Sequence, residues 1–302
     1  MCMKSENNFS RGLKKYRVSI CFSLPFLILF FVFTVVPVFA AMVLGFTRYN
    51  ILEPPVFIGL ENYLRLFLKD NIFMLALKNT LLFACISAPL SMLACLLGAW
   101  MINDFPPIIR AVLTFIFYAP SLAGGAVGIW TLILSGDTYG FLNNFLIQWG
   151  FISEPVQWLS DTHYMFGILL IVSLWGCLGT GFLSYVAAFR SIDKTLTEAA
   201  AIDGIKNRLQ ELWYITVPIL RPQLMFSALI SITGSFGVGS LSSALFGNPS
   251  PNYAAHTIVL HMEDYSSVRY DLGIACAIAT VLFILMVSAN KLIGLFIARV
   301  GK

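Results

Sequence analysis

Six stretches of this chain stay apolar over the length of a membrane-crossing helix: 20–46, 75–100, 108–133, 164–189, 222–241 and 273–298. A bilayer core ~30 Å thick calls for about 20 residues at ~1.5 Å each. Backbone in lipid has no water to bond, so each stretch must satisfy its own N–H and C=O groups, which a helix does within one segment. The short alternating segments that close into a barrel do not occur here. The pattern predicts an all-α integral membrane protein, a single domain over 1–302, with six transmembrane helices. The fifth is the most polar, diluted by Ser231, Thr233, Gly234, Ser235, Gly237, Gly239 and Ser240.

The basic residues orient these spans, because positively charged loops stay in the cytoplasm. With both termini inside, Arg48, Arg65, Lys69, Lys78 and Arg269 are the only Lys or Arg of 19 on the outer side. The same bias supports the weak fifth span, since removing it would carry the C-terminal basic group outside. Lys14, Lys15 and Arg17 precede an apolar run too long for a signal-peptide core, so the reading is an uncleaved first span.

The polar segments have their own grammar. In 47–74, Glu53-Pro54-Pro55 marks a turn and 61–67 a short surface helix. The connection 103–107 is tight enough to make spans two and three antiparallel neighbours. Residues 134–163 hold Tyr139, Trp149, Trp158 and Tyr164, aromatics suited to anchoring at the membrane interface. Gly247, Asn248, Pro249, Pro251 and Asn252 open 242–272 with turns.

The inside loop 190–221 is too long and too regular to be a mere connection. Thr195 or Thr197 is placed to cap a helix through 198–202, Gly204 permits a sharp bend, and 206–214 continues as a second helix carrying Leu209, Leu212 and Trp213. Pro218 marks either a stop or the first turn of the next helix. Two short helices bent at Gly204 make a shape that docks into a partner's groove.

Composition narrows the class. The chain is 58% hydrophobic and 11% charged, with mean hydropathy +0.83, too little polar coat for a soluble domain. The net charge of +4 reflects membrane orientation; the basic residues are spread over separate loops and give no nucleic-acid footprint. Cys21, Cys85, Cys95, Cys177 and Cys276 sit inside apolar stretches as small packing residues, and Cys2 has no apolar run ahead of it to make a lipoprotein signal. No phosphate-binding Gly-x-x-x-x-Gly-Lys-Ser/Thr is present, so the chain is not expected to be an enzyme or to hold ATP. Gly124-Gly125-Ala126-Val127-Gly128 lacks that lysine and reads as a close-packing helix surface. His163, His256 and His261 fall outside the spans, and His261 with Glu263 makes too thin a set for a metal site.

Glu198-Ala199-Ala200, Asp203-Gly204 and Ile215-Thr216-Val217-Pro218 together resemble the EAA loop of binding-protein-dependent ABC importer permeases. Tyr118-Ala119-Pro120, Trp130, Gly140-Phe141-Leu142-Asn143, Trp158-Leu159, Trp175 and Leu220-Arg221-Pro222 are similar to the sugar-permease branch that includes the maltose-system subunit MalF. The likeness runs from the first span to the last. Between Gly204 and Ile215 the chain is one residue longer than the family's spacing, Val217 stands where Leu is usual, and the Gly-Gly-Pro type of sequence after the fifth span is altered to Gly247-Asn248-Pro249.

The resemblance implies the type I importer permease fold (MetI/MalF-like) in a bacterial cytoplasmic membrane. It also implies a second permease subunit as a heterodimeric partner, two cytoplasmic ATPase subunits that carry ATP and Mg2+, and an extracytoplasmic solute-binding protein. The loop would transmit ATPase closure to the spans, with Glu198 as the polar contact, Ala199 and Ala200 packing closely, Asp203 bracing the second helix and Gly204 making the bend. Weakly polar span residues Ser173, Trp175, Thr180, Ser184, Thr233 and Ser235 are candidates for a solute route, suited to a sugar by aromatic faces and hydroxyls. No cofactor or metal is expected in the chain itself. The alternatives are an importer of another solute class, a secondary transporter, a membrane enzyme or a scaffold. A proton-coupled carrier calls for an intramembrane acid or His relay, which the spans lack, and no internal repeat is evident.

Overall fold

A computed structural model describes residues 17–122 and 126–297. Among these residues the chain is helical apart from one two-residue hairpin. Helix α1, Arg17–Phe30, runs through a π turn into α2, Val36–Leu44. Strands β1 (Thr47–Arg48) and β2 (Val56–Phe57) pair antiparallel across the Glu53-Pro54-Pro55 turn, with Thr47 opposite Phe57. There follow α3 (Glu61–Leu68), α4 (Asn71–Asn103), α5 (Pro107–Leu122), α6 (Ala126–Ile133), α7 (Phe141–Gln148), α8 (Thr162–Trp175), α9 (Thr180–Ser191) and α10 (Lys194–Ile202). Then come α11 (Arg208–Glu211), a π turn (Leu212–Thr216), α12 (Val217–Ile219), α13 (Arg221–Phe236), α14 (Gly239–Phe246), α15 (Ile258–Glu263) and α16 (Leu272–Ile297).

Three helices are long and apolar enough to cross a membrane unaided: Cys21–Leu44, Asn71–Asn103 and Leu272–Ile297. The other three expected spans are not continuous. α5 and α6 stand at 88° to each other, α8 and α9 meet at 43°, and the helix ending at Ile219 turns 83° into α13. Each bent pair counted as one span gives six. The breaks have local causes. Gly176 and Gly179 flank the α8–α9 break, and Gly179 adopts an extended φ of −99° and ψ of −134°. At Leu220 the backbone leaves helical geometry, and Pro222 restrains the residue before it from continuing the preceding helix. α13 has 16 residues, about 24 Å, too short to cross alone.

α4 is the axis of the bundle. Its buried positions Ala76, Thr80, Ala84, Ala88, Ser91, Cys95 and Ala99 recur every three or four residues and are all small. A stripe of this kind lets neighbouring backbones approach closely where lipid supplies no hydrophobic drive for helix association. One half of α4 packs Leu96 and Ile102 against Phe182 and Tyr185 of α9 and Leu220 and Leu224 of α12–α13. The other half packs Phe73 and Ala76 against Ile258, Ile274 and Ala277. At about 50 Å for 33 residues, α4 joins the end that carries residues 190–221, the loop end, to the opposite or far end. By contrast, no residue of 21–44 is buried.

The far end is ordered by side-chain amides. Asn62 Nδ2 donates to Gly45 O at 2.9 Å and Thr47 O at 2.8 Å, fixing the hairpin to α3. Asn79 Nδ2 reaches the carbonyls of Tyr253, Ala254 and His256. Asn143 is fully buried and organises the whole 134–163 segment: its Nδ2 bonds Ser135, Asp137 and Val156 carbonyls, and its Oδ1 accepts from Val156 N–H and Trp158 Nε1. Trp158 and Tyr164, expected as interface anchors, are half-buried and pack against an apolar cluster, their ring centroids 5.1 Å apart. Tyr139 and Trp149 are exposed, as an anchor requires. Of the glycine run read as a packing surface, Gly124 and Gly125 lie outside the described residues, and Gly128 has open space among the described residues where a Cβ would stand.

Candidate functional site

The three breaks converge. A cavity of about 590 Å³ is walled by mid-α4 (Phe83, Ser87, Ser91), by the α5 end and α6 (Ser121, Trp130), by the α8–α9 break (Ser173, Trp175, Gly176, Gly179, Thr180) and by the α13–α14 break (Ser231, Ser235, Gly237, Ser240). Irregular backbone at membrane depth is tolerated where it lines a polar cavity, which accounts for the breaks being here. Ser173, Ser121 and Ser91 each donate to a carbonyl three residues back, so each hydroxyl offers its remaining lone pair. Ser87 donates to Ser235 at 2.7 Å, and Ser235 in turn to Ser231 O, tying α4 to α13 across one wall. The Trp130 and Trp175 rings meet edge to face at 5.6 Å, and the buried Trp130 Nε1 has no hydrogen-bond partner among the described residues. Among the described residues, no Asp, Glu, Lys, Arg or His lines the space. Four of the six candidate route residues thus come together: Ser173, Trp175, Thr180 and Ser235. Ser184, half-buried on α9, and Thr233, exposed and bonded to Leu229 O, are not in the lining. Ser87, Ser91 and Trp130 were not singled out as route residues from the sequence; α4 reads there as unbroken membrane helix.

The loop 190–221 folds as two short helices about Gly204, which takes a left-handed φ of +97°. Ile205 N–H donates back to Ala200 O at 3.0 Å, closing α10 as helices commonly close on glycine. The cap of α10 is Asp193, which accepts from Thr195 N–H at 3.0 Å; a carboxylate preceding the first turn displaces the expected Thr195 or Thr197. Asn207 caps α11 through Gln210 N–H, and Gln210 Oε1 accepts from Lys206 N–H. Asp203 is exposed beside this cap and does not form it. The second helix runs on past Tyr214 through the π turn, with Pro218 in the first turn of α12 and the stop at Leu220. Glu198 and Ala199 are exposed while Ala200 is buried, and Leu196, Ile202 and Leu209 are further exposed apolar residues of the loop.

This pairing of a bent surface loop with a polar cavity at broken spans matches a known family. The model for the binding-protein-dependent transport system inner membrane component covers residues 93–302, taking in the whole loop. The chain belongs to this family. The probable ABC transporter permease protein YesP of Bacillus subtilis is 29% identical over 92% of this chain and 89% of its own length. The arabinooligosaccharides transport system permease protein AraP of the same organism is 30% identical over 91% of this chain and 88% of its own. In the solved bacterial alginate ABC transporter, bound to its alginate-loaded periplasmic protein, one chain superposes with a TM-score of 0.81 at 23% identity, covering 98% of this chain and 99% of that one. The family member described here is a multi-spanning permease of a bacterial membrane.

Proposed function

We propose that this permease subunit imports an uncharged sugar or oligosaccharide, driven by ATP hydrolysed on two partner ATPase subunits that hold ATP and Mg2+. The observation that carries the reading is the chemistry of the cavity. Hydroxyl acceptors, one unpartnered indole N–H and two Trp faces surround a space free of ionisable side chains other than Cys177. Sugars offer hydroxyl donors together with apolar C–H faces, and binding cavities of ~300–1,000 Å³ suit small solutes. An anionic cargo would enter this wall with no cation to receive it. The arabinooligosaccharide and lactose names of two relatives fit the same chemistry.

The loop end faces the cytoplasm in this reading, with Glu198 and Ala199 seated in an ATPase groove, Ala200 buried beneath them and Asp203 and Gly204 shaping the turn. The far end meets an extracytoplasmic solute-binding protein. A different permease subunit completes the cavity and covers the exposed α1–α2 helix. The finer likeness to the maltose-system subunit rests on the shared motifs alone. Purification from native membrane in mild detergent tests the assembly: a second permease chain and an ATPase should accompany the protein, and Glu198→Ala should shed the ATPase. Reconstituted with its binding protein, the complex should take up neutral oligosaccharides and not uronate oligomers of the same length; the reverse preference would overturn the cargo assignment.

A further inference from the structure

The loop end holds a contact between the loop and the bundle that neither the cavity nor the docking helix uses. Arg208, first residue of α11, pairs its guanidinium with Asp104 at 2.5 Å, just past the end of α4. The same guanidinium lies 4.9 Å over the Trp100 ring, one turn back along α4. Arg110 donates to Asn103 O at 3.1 Å, fastening the α4–α5 turn on which Asp104 stands. The group opens onto a polar cleft of about 780 Å³ whose other charged walls are Arg190 and Glu211.

Two routes therefore leave the loop. One is the chain itself, through the 83° bend into α13. The other crosses space: α10 packs on the π turn Leu212–Thr216, that turn continues α11, and α11 grips α4 through Arg208. α4 then carries Ser91 and Ser87 into the cavity wall, where Ser87 bonds to Ser235 of α13. We propose that Arg208, held by Asp104 and Trp100, is a positioning residue that makes α4 move with the loop, so that α4 and α13 shift as one wall of the cavity. The inference rests on the reading of 190–221 as the ATPase-coupling loop.

Chemistry favours this role over a contribution to folding. Both partners are about half exposed, and ion pairs in such positions add little stability. Arginine's planar head, unlike an ammonium, can pair with a carboxylate and stack on an indole at once, which fixes direction as well as distance. A directional contact that is dispensable for folding suits the transmission of movement.

The test uses the native complex in lipid nanodiscs with its own binding protein, and reads ATPase co-purification, basal ATP hydrolysis and its stimulation by the binding protein. Arg208→Gln and Asp104→Asn should each keep the ATPase bound and cut the stimulation by roughly threefold to tenfold, the range expected for a residue on a coupling route. The double variant should be no worse than the stronger single, since both remove one interaction. Arg208→Lys, which keeps the charge and loses the stacked plane, should fall between. Unchanged stimulation in the single variants, or effects that add in the double, would overturn the proposal. If Glu198→Ala sheds the ATPase while Arg208→Gln is silent, only the positioning role fails. If no ATPase accompanies the wild-type chain, the coupling-loop reading fails and takes this inference with it.

Discussion

Asp70 and His261 stand 191 positions apart in the chain and 3.0 Å apart in the fold. Asp70 caps α4 with Oδ1, accepting from Ile72 and Phe73 N–H, while Oδ2 receives His261 Nε2 and the Tyr265 hydroxyl. With Nε2 donating to the carboxylate, His261 Nδ1 is free to accept from His256 Nε2, 3.3 Å away. The cluster ties the start of α4 to α15 and the π turn that follows it. Asp70→Asn keeps an acceptor for the α4 cap but loses the charged Oδ2 acceptor of His261 and Tyr265, and should lower the melting temperature of the detergent-solubilised protein at a cost of about 2 kcal/mol. A melting temperature equal to wild type would show that the cluster does not hold the far end.

The same cluster makes the far end acid-sensitive. Burial, reinforced by the neighbouring His261, pushes His256 down from 6.5 to about 4. Burial alone would raise the Asp70 carboxyl, but hydrogen bonds from Phe73 N–H and His261 outweigh it and hold it below its ordinary range. Both groups have depressed folded-state values, so in both cases the unfolded chain binds protons first as pH falls. The His256 contribution is complete above about 6.5 and is lost as pH falls towards about 4; the Asp70 contribution goes below the ordinary carboxylate range. Thermal melts should therefore drop between pH 7 and pH 4.5, and His256→Phe should flatten that slope. A slope unaffected by His256→Phe would assign the acid sensitivity elsewhere.

Asn143 should prove as important to the 134–163 segment as any apolar residue in it. Asn143→Asp keeps the shape but removes the Nδ2 donor to three partly exposed carbonyls, and each such hydrogen bond is worth about 1 kcal/mol. Limited proteolysis should then cut between 134 and 163 in the variant and not in the wild type. Equal resistance in both would mean that the Trp158 cluster holds the segment without the amide network.

These cases mark where the sequence stops being readable. The first, second and sixth spans follow from apolar length alone, and Gly204 announces its bend because only glycine takes a φ near +97° without strain. Asp70 and His261, or Asn143 and Trp158, carry no local signal of each other; their partnership is a product of the packed bundle. The broken spans were hidden for a related reason. Gly176 and Gly179 are as common in packed membrane helices as in breaks, and their neighbours are apolar enough to mask the interruption. The cavity was half-legible: Ser173, Trp175, Thr180 and Ser235 stood out as polar, while Ser87 and Ser91 were absorbed into a helix that is otherwise continuous.

Trp130 provides a direct probe of the cavity. Its Nε1 is a buried donor with no partner among the described residues, so a solute hydroxyl that accepts from it gains a bond that water-exposed groups cannot match. Trp130→Phe keeps an aromatic ring and removes the donor. It should reduce oligosaccharide uptake by about tenfold, the effect of ~1.4 kcal/mol, with ATPase co-purification unchanged. Full uptake in Trp130→Phe would place the solute elsewhere in the cavity.

The helix that follows Gly204 carries a π turn at Leu212–Thr216. Leu212, Thr216, Val217 and Leu220 are the buried positions of this segment, at offsets of four, five and eight residues from the first. An α-helix keeps offsets of four and eight on one face, so Val217, at offset five, is the position that the wider turn brings inward. A π turn holds one more residue per turn than an α turn and restores the face. Tyr214 lies within the turn and is exposed, so deleting it should let 208–219 form an ordinary α-helix with the same four residues inward. The deletion variant should insert, melt within a few degrees of wild type and retain its ATPase. Loss of the ATPase with folding intact would show that the π turn sets the pitch of the loop on its partner. Failure to fold would show that the buried face, not the exposed tyrosine, depends on the wider turn.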